Sequence, residues 1–185
     1  MTSPATASAP HPPHYTSVPD WTREPVVQPA DPLGRVHTVI EVVGEDPAAT
    51  ATAPVVAGWV AGLDGRDVRH RACPDTAAAV AALEADLVTA KVGHRVLVAG
   101  SADACLAVRA AGVRGGLADD EMAFGVVSVE TRTVWCVHCS AATVAKLALD
   151  DVVACSGCER GLLVYPHVSR RTGQHLGFMV DAEEA

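Results

Sequence analysis

The chain has 185 residues, 49% hydrophobic, 4% aromatic and 19% charged, with 22 acidic residues against 14 lysines and arginines for a formal net charge of −8. A negative chain opposes phosphate-backbone binding, which is assembled from many Lys and Arg contacts, and so few aromatic rings leave no stacking platform for single strands. No apolar run approaches the roughly 20 residues of a membrane span, and the first residues lack the charged-then-apolar layout of an export signal. The composition therefore argues against nucleic-acid and membrane partners and leads to the expectation of a cytoplasmic globular protein.

Residues 1–35 hold eight of the twelve prolines, and such a stretch reads as a flexible N-terminal extension. Trp21 within it is either a clip that docks on this chain or a partner, or an incidental residue of a tether. From 36 to 130, short β-branched runs alternate with helical patterns, the signature of a parallel sheet flanked by helices. Strands are expected over Val36–Val43, Asp67–Arg71, Arg95–Ala99 and Phe124–Val129. Helices are expected over Ala53–Leu63, from an Asp75 cap to Gly93, and over Ala102–Ala111. In the second helix Val80, Leu83, Leu87 and Val88 share one face. Residues 131–180 change texture to short strands at Thr143–Leu149, Val152–Ala154, Leu162–Val168 and His175–Val180, and 181–185 read as a solvated acidic tail.

Cys136, Cys139, Cys155 and Cys158 form CxxC-x15-CxxC inside this last region. Two CxxC knuckles joined by a short linker can present four thiolates to one tetrahedral ion, whereas stable disulfides are rare in a reducing cytosol. One structural Zn2+ per chain is expected. A segment near fifty residues has little apolar surface of its own, and four cysteines close the coordination sphere, so the ion staples the segment rather than catalysing. Iron is the rival in the same four-sulfur site. A rubredoxin-like electron carrier, however, spaces its knuckles farther apart and surrounds them with more aromatics than Trp135, Tyr165 and Phe178. His138, inside the first knuckle, is a substitute donor or a surface residue.

The remaining chemistry-bearing residues carry bland readings. Cys73 and Cys105 suit small buried apolar side chains. Asp119, Asp120 and Glu121 read as a solvated loop. His167, Arg170, Arg171 and His175 form a basic cluster facing either an acidic partner or solvent at a turn through Arg170–Gly173. No GxSxG, Walker A or HExxH pattern is present, and GEDPAATATAP after the first strand lacks GxGxxG. The VAGSAD turn at Val98–Asp103 offers small residues and a helix start, but Asp103 already occupies the favourable end of the dipole. No catalytic residue is assigned.

RVLVAGSADACLAVRAAGVRGGLADDEM followed by a strand resembles the last βαβ piece of the nicotinamide domain in ferredoxin-reductase-like proteins. That resemblance implies a small Rossmann-like, ferredoxin-reductase-type sheet, without the glycine-rich loop needed to take electrons from NADPH directly. The stretch from CVHC through CSGCERGLLVYPHVSRRTGQHLGFM resembles the C-terminal region of the DmmA-type small subunit of dimethylamine monooxygenase, with LLVxxHVSRR and LGFM its most telling pieces. This second resemblance places Cys136, Cys139, Cys155 and Cys158 on the family's knuckles. It implies a non-catalytic, zinc-binding accessory subunit of a complex that oxidatively demethylates a secondary amine. Its expected partners are a haem-bearing oxygenase subunit, a flavin and iron–sulfur reductase subunit, and a folate-binding subunit. The competing functions are a rubredoxin-like electron carrier and a zinc-ribbon regulator.

Overall fold

The computed structural model describes residues 16–44 and 51–180. The first part of the Pro-rich stretch and the acidic tail at 181–185 lie outside the described residues. The chain forms β1 (Val26–Val27), β2 (Val36–Val42), α1 (Thr52–Gly62), β3 (Asp67–Cys73), α2 (Thr76–Leu87), β4 (His94–Ser101), α3 (Ala102–Arg114) and β5 (Met122–Ser128). It continues as β6 (Thr131–Cys136), β7 (Ala142–Lys146), β8 (Val152–Ala154), β9 (Gly161–Val168) and β10 (His175–Met179).

The first sheet runs β1-β5-β4-β2-β3, with β2, β3, β4 and β5 parallel and β1 antiparallel at the edge. β4 is central and its Val96–Gly100 are all buried, as a strand covered on both faces must be. Val56 and Trp59 of α1, with Leu63 at its C-cap, pack on Val39, Leu97 and Ala99 from one side. From the other side α2 and α3 bring Ala79, Leu83, Cys105 and Val108 onto Ile40, Val98 and Phe124. Asp75 caps α2 by accepting from the Ala78 amide at 2.7 Å, as its position before an alanine-rich run predicts. Val88, read as part of the α2 core face, lies beyond the last helical residue and is 83% exposed. α3 extends past the expected Ala111 to Arg114 through Gly112, a weak helix former at a position where a Cβ would lie 2.7 Å from the Met122 sulfur.

The main departure concerns the N-terminal stretch. From residue 16 onward it packs on the first sheet instead of standing free: Val26 and Val27 pair with Val126 and Gly125, and Trp21 stacks on Phe124 with centroids 4.2 Å apart. Of the two roles open to Trp21, the structure shows a clip on its own chain. Trp21→Ala is expected to destabilise the protein by about 2 kcal/mol, since a half-buried indole loses both its burial and its ring stack. Urea unfolding followed by far-UV circular dichroism measures this.

The second sheet runs β7-β6-β10-β9-β8, and β10 lies parallel to β6 while every other pair in the sheet is antiparallel. β6 lies outside the strands expected above; it pairs locally with β7 as an antiparallel hairpin, Thr131–Trp135 opposite Lys146–Ala142, and on its other side with the remote β10. This sheet docks on α3. Asp103 accepts from both the amide and the hydroxyl of Thr133, each at 2.7 Å. Val168 packs with Leu106 and Val18, and the Ser17 hydroxyl bonds the Val168 backbone. The Ser169–Gln174 turn abuts α3 so closely that a Cβ on Gly173 would lie 2.4 Å from the Leu106 carbonyl oxygen, and its φ of 74° also favours glycine.

That docking disperses the expected basic cluster. Arg170 pairs with Asp119 at 2.8 Å, and Asp119 also takes Arg109 at 2.8 Å, so neither charge stands free in a solvated loop. Glu121 pairs with Arg95. His175 is only 1% exposed; burial, then the charge of Arg132, pushes its pKa down to about 4, so it is a neutral core residue at pH 7.

Candidate metal centre

The two knuckles are built alike. Cys136 closes β6, and its amide donates to the Ala141 carbonyl at 2.9 Å while its own carbonyl accepts from the Ser140 amide at 2.9 Å. Cys155 follows β8 and repeats both bonds at 2.9 Å, with Arg160 and Glu159 in the equivalent places. Each loop closes through a residue in the left-handed region directly after its second cysteine: Ser140 at φ 63° and Glu159 at φ 62°. A side chain there costs roughly 1–2 kcal/mol of local strain. Ser140→Gly and Glu159→Gly are therefore each expected to stabilise the metal-loaded protein by about 0.5–1 kcal/mol, read as a higher urea midpoint with unchanged slope.

The four sulfurs converge across the knuckles. Cys136 Sγ lies 3.8 Å from Cys158 Sγ, and Cys139 Sγ lies 3.5 Å from Cys155 Sγ. A tetrahedron with metal–sulfur bonds near 2.3 Å has edges of about 3.8 Å, so these separations match a four-thiolate cage and are far too long for disulfides. All six cysteines are free. Cys136 and Cys155 are buried in a small core with Val134, Leu162 and Val164, while Cys139 is exposed. His138 is also exposed, and one of its ring nitrogens stands within 4.8 Å of the sulfurs of Cys136, Cys139 and Cys158. It is a further donor atom at the rim of the four sulfurs. The cluster can hold a metal ion.

Local backbone prepares the sulfurs as ligands. Amides of Cys158 and Gly157 point at Cys155 Sγ and draw its pKa down to about 6, whereas Cys139, despite the Ala141 amide, is pushed up to about 12 by desolvation and its sulfur neighbours, so without an ion the cluster shares its protons unevenly. Gly157 also has a packing duty: a Cβ there would lie 2.7 Å from Ala141 Cβ and 3.2 Å from Cys139 Sγ, wedging the knuckles apart. CSGC carries this glycine in plain view, but its role becomes legible only once the other knuckle faces it. The second knuckle is tied to β7 through the Thr143 hydroxyl, which accepts from the Ser156 amide at 3.0 Å.

Elsewhere, Asp103 at the VAGSAD turn spends both carboxylate oxygens on Thr133, which leaves the start of α3 with an internal partner. Cys105 is fully buried and desolvation pushes its thiol pKa up, as for an inert core residue. No helix among the described residues is long and apolar enough to cross a membrane.

Comparison with known proteins converges on this region. The family model "Dimethylamine monooxygenase subunit DmmA-like, C-terminal domain" matches residues 133–178, which include both knuckles. The heme-dependent oxidative N-demethylase delta subunit of Ectopseudomonas mendocina (strain ymp) is 32% identical over 120 residues, covering 63% of this chain and 67% of that protein. No solved structure matches the chain.

Proposed function

This chain belongs to the DmmA-like family of N-demethylase subunits, and from that premise we infer that it is the zinc-stapled accessory subunit of a multicomponent dimethylamine monooxygenase. Cys136, Cys139, Cys155 and Cys158 hold the ion. Zinc in this cage has no open position, so it supplies folding energy and shape rather than Lewis acidity. The observation that carries this reading is the cross-knuckle separation of 3.5–3.8 Å between paired sulfurs in a centre that four thiols complete.

The first sheet serves as a relative of the nicotinamide domain that has kept the layered frame without the glycine-rich loop. Its task, with the second sheet docked on it, is to present fixed surfaces that orient a haem-bearing oxygenase subunit, a flavin and iron–sulfur reductase subunit and a folate-binding subunit. Free thiols at the metal centre suit a reducing compartment such as the cytoplasm. The test is reconstitution of the demethylase from its separate subunits with and without this chain. Assembly measured by size-exclusion chromatography and amine-dependent oxygen uptake are expected to fall at least tenfold without it. Full assembly and turnover in its absence would contradict the role.

A further inference from the structure

A second polar site lies at the opposite end of the parallel strands from the VAGSAD turn, where β2, β3 and β4 begin. A cavity of 430 Å³ opens there, walled by Arg35, Arg69, Lys91 and His94 together with the Thr89–Val92 turn. Its size falls within the range of small-molecule sites. Arg35 and Lys91 are exposed at the rim, Arg69 is half-buried, and His94 is 4% exposed at the floor. The wall is held in place. The Arg35 amide donates to the Gly93 carbonyl at 2.7 Å, and the Arg35 stem lies against Gly93. His94 Nε2 lies 3.0 Å from the Thr38 hydroxyl, which donates to Asp86.

Three basic side chains without ion pairs meet at this cavity. In a chain of net charge −8, Arg23, Arg71, Arg95, Arg109, Arg114 and Arg170 are all engaged in ion pairs. Among the described residues Arg35, Arg66, Arg69, Lys91, Arg132, Arg160 and Arg171 have none, and of these Arg35, Arg69 and Lys91 line this one cavity. Asp86, behind the floor, is already bound by Arg71 and Thr38, and Asp67 is the other carboxylate acting on His94. Arg35 and Lys91 have no carboxylate partner among the described residues and Arg69 only a share of the field of Asp86, which Arg71 already binds, so an anion seated among the three relieves their mutual repulsion.

We propose that this cavity binds the phosphate group of a small phosphorylated ligand, with Arg35, Arg69 and Lys91 as its charged donors and His94 as its floor. The site stands apart from the metal centre and does not depend on the subunit role.

Isothermal titration of the full-length protein at low ionic strength, with inorganic phosphate in one arm and adenosine diphosphate in the other, tests this. Saturable one-to-one binding is expected. Lys91→Ala and Arg35→Ala should each weaken it about tenfold or more, as loss of a charge-assisted bond does, while Arg23→Ala leaves it unchanged. Both lost cations are exposed, so melting temperature and metal content stay at wild-type values and confirm intact folding. Tighter binding of the diphosphate assigns a nucleotide-type ligand, and equal binding assigns the phosphate alone. Absence of saturable binding in both arms, or equal affinity in the Arg35→Ala/Lys91→Ala double variant, overturns the proposal.

Discussion

Cys139→Ser is expected to lower zinc affinity by more than about 100-fold, a loss exceeding that from removing a supporting group around a metal, and to open the second sheet to hydrogen exchange. Cys139 is exposed, so serine there removes a ligand while leaving packing nearly intact. Cys136→Ser removes a ligand and also places a hydroxyl in the core of Val134, Leu162 and Val164, so it should cost more stability for the same loss of metal. Structural zinc contributes about 10–16 kcal/mol in zinc-finger peptides. The second sheet has its own small core and is docked on α3, so loosening should concentrate at the knuckles and β8, with β4 and α3 retaining their protection. Amide exchange read segment by segment, with metal content measured in parallel, checks both the size and the location of the effect. Unchanged protection around 136–158 in metal-free Cys139→Ser would show that the ion is not the staple.

Asp103→Ala is expected to destabilise the protein by about 2–3 kcal/mol and to loosen the second sheet from the first. The substitution leaves the Thr133 amide and hydroxyl without their partner at a half-buried contact. Asp103 also has a pH signature. Desolvation raises its pKa from 3.8, only partly opposed by the Thr133 bonds and by Arg132. A carboxyl whose folded pKa exceeds its unfolded value favours the native state most when protonated. Its contribution is fully present below 3.8 and is lost as pH rises through the raised folded value. Asp103→Asn cannot titrate, so its stability relative to wild type should improve as pH rises across that window. Urea midpoints for wild type, Asp103→Ala and Asp103→Asn over a pH series separate the bond from the charge.

What could be read from residues alone follows how local each signal is. RVLVAG announces a buried central strand through its continuous apolar run, Asp75 announces a helix start, and the knuckles announce themselves by spacing. Each of these is decided within a few residues. The stretch from 16 to 35 was misleading because its prolines argue against a self-contained core. Trp21 and Val26 instead borrow the core of a sheet that is completed about a hundred residues later. His175 looked like part of a basic cluster by proximity in sequence, yet strand alternation puts its ring inside while Arg170 reaches across to Asp119. The second sheet thus reads from its spacing as a ribbon that gathers four cysteines, but not as a unit clamped to α3.

The account turns on one ion held by four sulfurs. X-ray absorption at the zinc edge on protein purified without added metal or chelator, combined with elemental analysis, measures that directly. One zinc per chain with about four sulfur scatterers near 2.3 Å is the predicted result. Iron in place of zinc, a mixed shell in which the His138 nitrogen displaces a sulfur, or a chain with four reactive thiols and no bound metal would contradict it.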